Sequence, residues 1–103
     1  MFVPALSHAV VYIMSVDYLE GFEITPYFRD RVLGDPVRAR LAPYIAETVN
    51  SFEYIEAQED GRVKHWRYVP ELGHHLLVIT TADGALFNAF DDSNFTRRQR
   101  RQG

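Results

Sequence analysis

"DGRVKHWRYVPELGHHLLVITTADGALFNAFDD", residues 60–92, holds three β-favouring runs set apart by turn-forming residues. Two Asp-Gly pairs, Asp60-Gly61 and Asp83-Gly84, stand at corners between such runs. Asp-Gly is a strong hairpin signal because primed two-residue turns need positive φ, which glycine adopts without strain. With the preceding "SFEYIEAQ" (51–58), the pattern predicts four strands in meander order. "LLVI", Leu76 to Ile79, is apolar on both faces and reads as a central strand covered on both sides. Helices are expected over one side, and the N-terminal segment or a second subunit over the other.

Upstream of residue 51 the period is helical. "GFEIT" (21–25) reads as a short strand, and Thr25-Pro26 pairs an N-cap with a proline at the first helical position. The helix "PYFRDRVLG" (26–34) sets Phe28, Val32 and Leu33 on one stripe and stops at Gly34. Asp35-Pro36 opens a second helix by the same device. Pro43 disfavours helical geometry at Ala42, so a break or kink is expected there before "YIAETVNS" (44–51) completes the helix. The first twenty residues favour an extended strand on β-branched content and also admit a short buried helix. The expectation is one α+β domain of 103 residues: an N-terminal strand, two helices, then a four-stranded antiparallel meander.

Composition narrows the function classes. Zero cysteines exclude disulfides and thiolate metal sites and fit a reducing cytoplasm. The longest apolar run near the start, Ala9 to Met14, is too short to span a membrane, and no Lys or Arg precedes it as in a signal peptide. A cytoplasmic protein without membrane attachment is expected. Net charge is −3, but Arg97, Arg98, Arg100 and Arg101 crowd the C-terminal end. Residues 1–96 hold seven Lys and Arg against fourteen Asp and Glu. Such a body does not advertise broad nucleic-acid binding. The tail "TRRQRRQG" (96–103) reads as a flexible, solvated end that also offers contacts to RNA or an acidic partner.

Candidate chemistry lies on the strands. Alternation puts Val63, His65, Arg67 and Val69 on one face, and Lys64, Trp66 and Tyr68 on the other. His65 and Arg67 thus project together as an acid/base and phosphate pair, while Trp66 and Tyr68 read as core. His74 and His75 point to opposite faces and make a poor chelating pair, so no metal or cofactor is expected. His75 is expected near His65 if their strands pair across the Pro70–His74 loop. Asn88 falls between Leu86 and Phe90 on one strand face, as a structural amide or a substrate contact with Lys64, Arg97 and Arg98. Asp91-Asp92 is placed to cap a turn or short helix starting near Ser93.

The order strand, helix, helix, antiparallel meander resembles the RelE/ParE and BrnT-like toxins, within the wider group of barnase- and EndoU-related endoribonucleases. Residues 60–95 also resemble an uncharacterised bacterial family whose pattern runs "DGRIRxWxYIPELGxYLRVVxxxDGxxxxNAFxDRxF". The resemblance implies metal-independent RNA cleavage and an antitoxin partner; for that chemistry the strand reading offers His65 and Arg67, with His75, as the catalytic set. Leu77 and Ser93 stand where that pattern has arginines, so any phosphate chemistry those arginines support is missing here. The competing expectation is a non-enzymatic module that forms a homodimer or docks a partner through the exposed face of its sheet.

Overall fold

The computed structural model describes residues 18–102. The extra strand or helix expected in the first twenty residues therefore lies mostly outside the described residues. Of the strand expected over 21–25, Ile24 forms an isolated parallel bridge to Leu86. Helix α1 (Pro26–Phe28) runs directly into a π-helical turn (Arg29–Leu33). Thr25 works in both directions at its start. Its Oγ1 accepts the Phe28 N–H at 3.1 Å and donates to Leu86 O at 2.9 Å, which ties the helix to the sheet. Asp35 caps α2 (Pro36–Ala39) by accepting the Val37 N–H at 2.9 Å.

The expected break in the second helix is present but falls earlier. It lies at Arg40–Leu41, and α3 (Ala42–Asn50) begins with Ala42 and Pro43 already helical. The first helical turn needs no intrahelical N–H donor, so proline sits there without loss.

Strands β1 (Tyr54–Ala57), β2 (Val63–Val69), β3 (His74–Thr80) and β4 (Leu86–Asp92) form one antiparallel sheet in the order β1-β2-β3-β4. The Asp-Gly corners turn the chain as expected, by a different geometry. Among the described residues only glycines have positive φ, Gly61 at 89° and Gly84 at 91° among them, which excludes a primed turn with both central residues positive. At the first corner Gln58 N–H bonds Arg62 O and Gly61 N–H bonds Gln58 O; Thr81, Ala85 and Gly84 repeat this at the second. These are three-residue loops in which the left-handed glycine closes the hairpin.

One sheet face packs under α1, the π turn and α3. Phe28, Val32, Leu33, Ile45, Val69, Leu76, Val78, Leu86 and Ala89 make a single buried cluster there. The other face is covered by α4 (Ser93–Gln102), the helix expected to start near Ser93, which runs on to Gln102 and folds back over the sheet. Residues 97–102, expected as a flexible tail, belong to it. Asp92 Oδ1 accepts the Phe95 N–H at 3.0 Å, as the expected Asp cap requires, and the Phe95 ring stacks on Trp66 with centroids 4.8 Å apart. One aromatic anchor and one cap hold an otherwise polar helix on the sheet. Trp66, Leu77 and Phe95 form this second, smaller core, with Ile79 and Phe90 against it.

Candidate functional site

Register decides which polar side chains meet. His65 pairs with Val78 and Arg67 with Leu76, so the two share a face as alternation requires. It is the helix-covered face. The His65 ring, 7% exposed, places Nδ1 3.1 Å from Val78 O and meets Phe52 edge-on. Arg67 faces Glu47 of α3 at 3.6 Å and donates to Tyr68 O at 3.4 Å. Both candidate groups are engaged in holding α3 and the chain after it against the sheet.

His75 does not join them. It pairs with Tyr68, which places it on the opposite face, so the expected proximity to His65 fails. The reason is the one-residue offset: His65 and Tyr68 differ by an odd number, so any partner of Tyr68 faces away from His65. The catalytic trio expected from sequence is thus split across the sheet. His74 stays on the helix side, with Nε2 3.2 Å from Asp91 Oδ2.

Asn88 keeps Phe90 on its face, the Lys64 side, but loses Leu86. The register shifts between Ile79 and Thr80, and this bulge leaves Phe87 without an opposite residue. Leu86 therefore enters the helix-side core while Phe90 packs against the Trp66 cluster, so the two do not share a face. Asn88 Oδ1 accepts the Ala89 N–H at 2.9 Å and Arg38 at 3.3 Å. This amide caps the β4 edge and ties it to α2.

What gathers around His75 is more substantial. Thr96 Oγ1 accepts the His75 backbone N–H at 2.7 Å and lies 2.8 Å from its Nδ1. The Thr96 hydroxyl also donates to Asp92 O at 3.3 Å, and in that arrangement it accepts from Nδ1–H and leaves Nε2 for other partners. Tyr54, Tyr68 and Phe95 surround the ring, with centroids at 6.2, 5.5 and 4.9 Å. Lys64 lies on the same face, its Nζ 5.8 Å from the Trp66 ring centre. Arg97, Arg100 and Arg101 line an open cleft along α4, and Arg98 lies over Phe95 at 5.6 Å. Of the residues expected in the site, His75, Lys64, Arg97 and Arg98 are thus brought to one side of the sheet. Thr96 and Tyr54 had no local signal, since Thr96 reaches the ring only when α4 folds back and Tyr54 only by pairing with Trp66.

Burial lowers the His75 pKa below its ordinary 6.5, against the opposing pull of the Glu53 and Asp92 carboxylates. The folded chain keeps this ring neutral where the unfolded chain has begun to bind a proton. Its contribution to stability is complete above pH 6.5 and is lost as pH falls from there through the lowered folded value. Urea unfolding is therefore expected to need less denaturant as pH falls from about 7.5 to about 5.5. A His75→Gln chain is expected to show a shallower decline over that range; an unchanged decline would place the effect elsewhere.

Among the described residues no group of three His, Asp or Glu is placed to hold a metal ion, and no helix is long and apolar enough to cross a membrane. No family model matches the chain, and no curated protein or solved structure matches it.

Proposed function

We propose that this chain is a RelE/BrnT-like toxin-type endoribonuclease that works without a metal, and that its working face is the α4 side of the sheet. The observation that carries the reading is the setting of His75: a ring kept neutral by burial, steered by Thr96 and bordered by tyrosines and the arginines of α4. Single-stranded nucleic acid is held by cations that track its backbone and by aromatic rings on which bases stack. Tyr54, 43% exposed, and half-buried Tyr68 provide such rings, while Lys64 and the arginines provide charge.

In the proposed reaction His75 Nε2 takes the proton from a ribose 2′-hydroxyl as that oxygen attacks the adjacent phosphorus. The bond from phosphorus to the 5′-oxygen breaks, the departing oxygen takes a proton from water, and the protonated His75 returns its proton to the hydroxide so formed. The products are a 2′,3′-cyclic phosphate and a free 5′-hydroxyl. Leu77 and Ser93, in place of the arginines of the resembling family, favour a second reading as a binding module that does not cleave.

Incubation with single-stranded RNA in EDTA separates the two. Cleavage with cyclic-phosphate ends is expected, falling at least about 100-fold in His75→Ala and staying within a few-fold of wild type in Arg67→Gln. Growth arrest on expression is expected to follow the same order. Absence of cleavage by the wild-type chain, or equal cleavage by His75→Ala, rejects the catalytic reading.

A further inference from the structure

The two edges of the sheet are treated differently. At β4, Thr25 N–H bonds Leu86 O at 3.1 Å and Leu86 N–H bonds Glu23 O at 2.8 Å, while the Asn88 side chain takes the outward Ala89 N–H. That edge is blocked through Ala89. At β1 nothing comparable exists among the described residues: all four of its residues are exposed, and it pairs only with β2. Gln58 N–H points inward to Arg62 O, so alternation along the strand turns the N–H and C=O of Ile55 and Ala57 outward. Proteins blunt such an edge with lysine, proline or a bulge, and β1, "YIEA", has none of these. Exposed apolar side chains flank it instead: Phe52 at 42%, Tyr54 at 43% and Ile55 at 51%.

Charge selects the occupant. Residues 51–61 carry Glu53, Glu56, Glu59 and Asp60, and no Lys or Arg. A second copy pairing Ile55 with Ala57 across a twofold axis would set Glu56 against Glu56 and Glu53 against Glu59. Like charges directly opposite destabilise a sheet pair, and every other register still lays two acidic segments side by side. We propose that the β1 edge accepts an extended, lysine- or arginine-bearing segment of a partner protein as a fifth strand. The backbone groups of Ile55 and Ala57 supply the ladder, and the carboxylates select a basic partner over a second copy. The proposal does not rest on the ribonuclease reading, although Tyr54 borders both surfaces.

The test uses the full chain and two short acetylated peptides, one alternating lysine with valine and one alternating glutamate with valine. The lysine peptide is expected to bind and to slow amide hydrogen exchange at Ile55 and Ala57; the glutamate peptide is expected to do neither. Ile55→Pro removes an outward N–H that β2 does not use, so binding should be lost while urea unfolding stays close to wild type. As a second variant, Glu56→Gln with Glu59→Gln should weaken binding about fivefold and leave the backbone edge intact. Three results overturn the proposal. They are no binding of the lysine peptide, protection at amides outside β1 that survives Ile55→Pro, and concentration-dependent dimers of the unliganded chain that protect the same amides.

Discussion

Phe28→Ala is expected to remove about 3–5 kcal/mol from the stability of this fold, the range for emptying a fully buried phenylalanine site. Phe28 is 0% exposed and belongs to the buried cluster with Val32, Leu33, Val69, Leu76, Val78, Leu86 and Ala89. Its backbone N–H is also the group that Thr25 caps, so the residue joins the helix start to the sheet. The hole left by alanine is lined by strand residues whose positions the β2–β3–β4 ladder fixes, and they cannot close on it freely. A domain of this size has about 5–15 kcal/mol in total. The variant should therefore show a urea midpoint shifted by a large fraction of the wild-type value, with an unchanged slope if unfolding stays two-state. A loss under about 1 kcal/mol would mean that α1 does not sit on the sheet as described.

Phe95→Ala is expected to release α4. The Phe95 ring touches three others: Trp66 at 4.8 Å, His75 at 4.9 Å and Tyr54 at 5.1 Å between centroids. Beyond it, α4 buries only Thr96, and every arginine on the helix is exposed. A ten-residue helix of this composition does not stand alone in water. Truncating the anchor should thus cost about 3 kcal/mol and expose the indole of Trp66, the only tryptophan in the chain. The expected readout is a red shift of Trp66 fluorescence in the folded state, with faster amide exchange from Phe95 onward. If residues 93–102 were a frayed tail, the same substitution would change stability by less than about 0.5 kcal/mol and leave the fluorescence alone. On the proposed function, releasing α4 also removes Thr96 from His75, so RNA cleavage should fall with it.

Much of the architecture was legible before any coordinates. Thr25 and Asp35 cap their helices as read, Phe28, Val32 and Leu33 are all 0% exposed, and both Asp-Gly corners turn the meander. Each of these rests on neighbours within a few residues, where side-chain type and backbone preference act directly. The assignment of His65 and Arg67 to a common face was sound for the same reason, since alternation along one strand is local. What the pair meets on that face was not legible. Glu47 and Val78, which engage Arg67 and His65, lie twenty and thirteen residues away in sequence.

The sequence by itself determined the elements: two capped helical stretches, four antiparallel ribbons, two glycine corners and the acid at Asp92 that starts a helix. Tertiary structure alone decided what each strand residue meets. A bulge between Ile79 and Thr80 puts Leu86 and Phe90 on opposite faces, and pairing of His75 with Tyr68 separates the two buried histidines. The stacking of Phe95 on Trp66 turns an arginine-rich end into the cover of His75. Local preference records spacing along the chain, whereas facing depends on register and on contacts between distant residues, which form only when the whole sheet and its two covers pack at once.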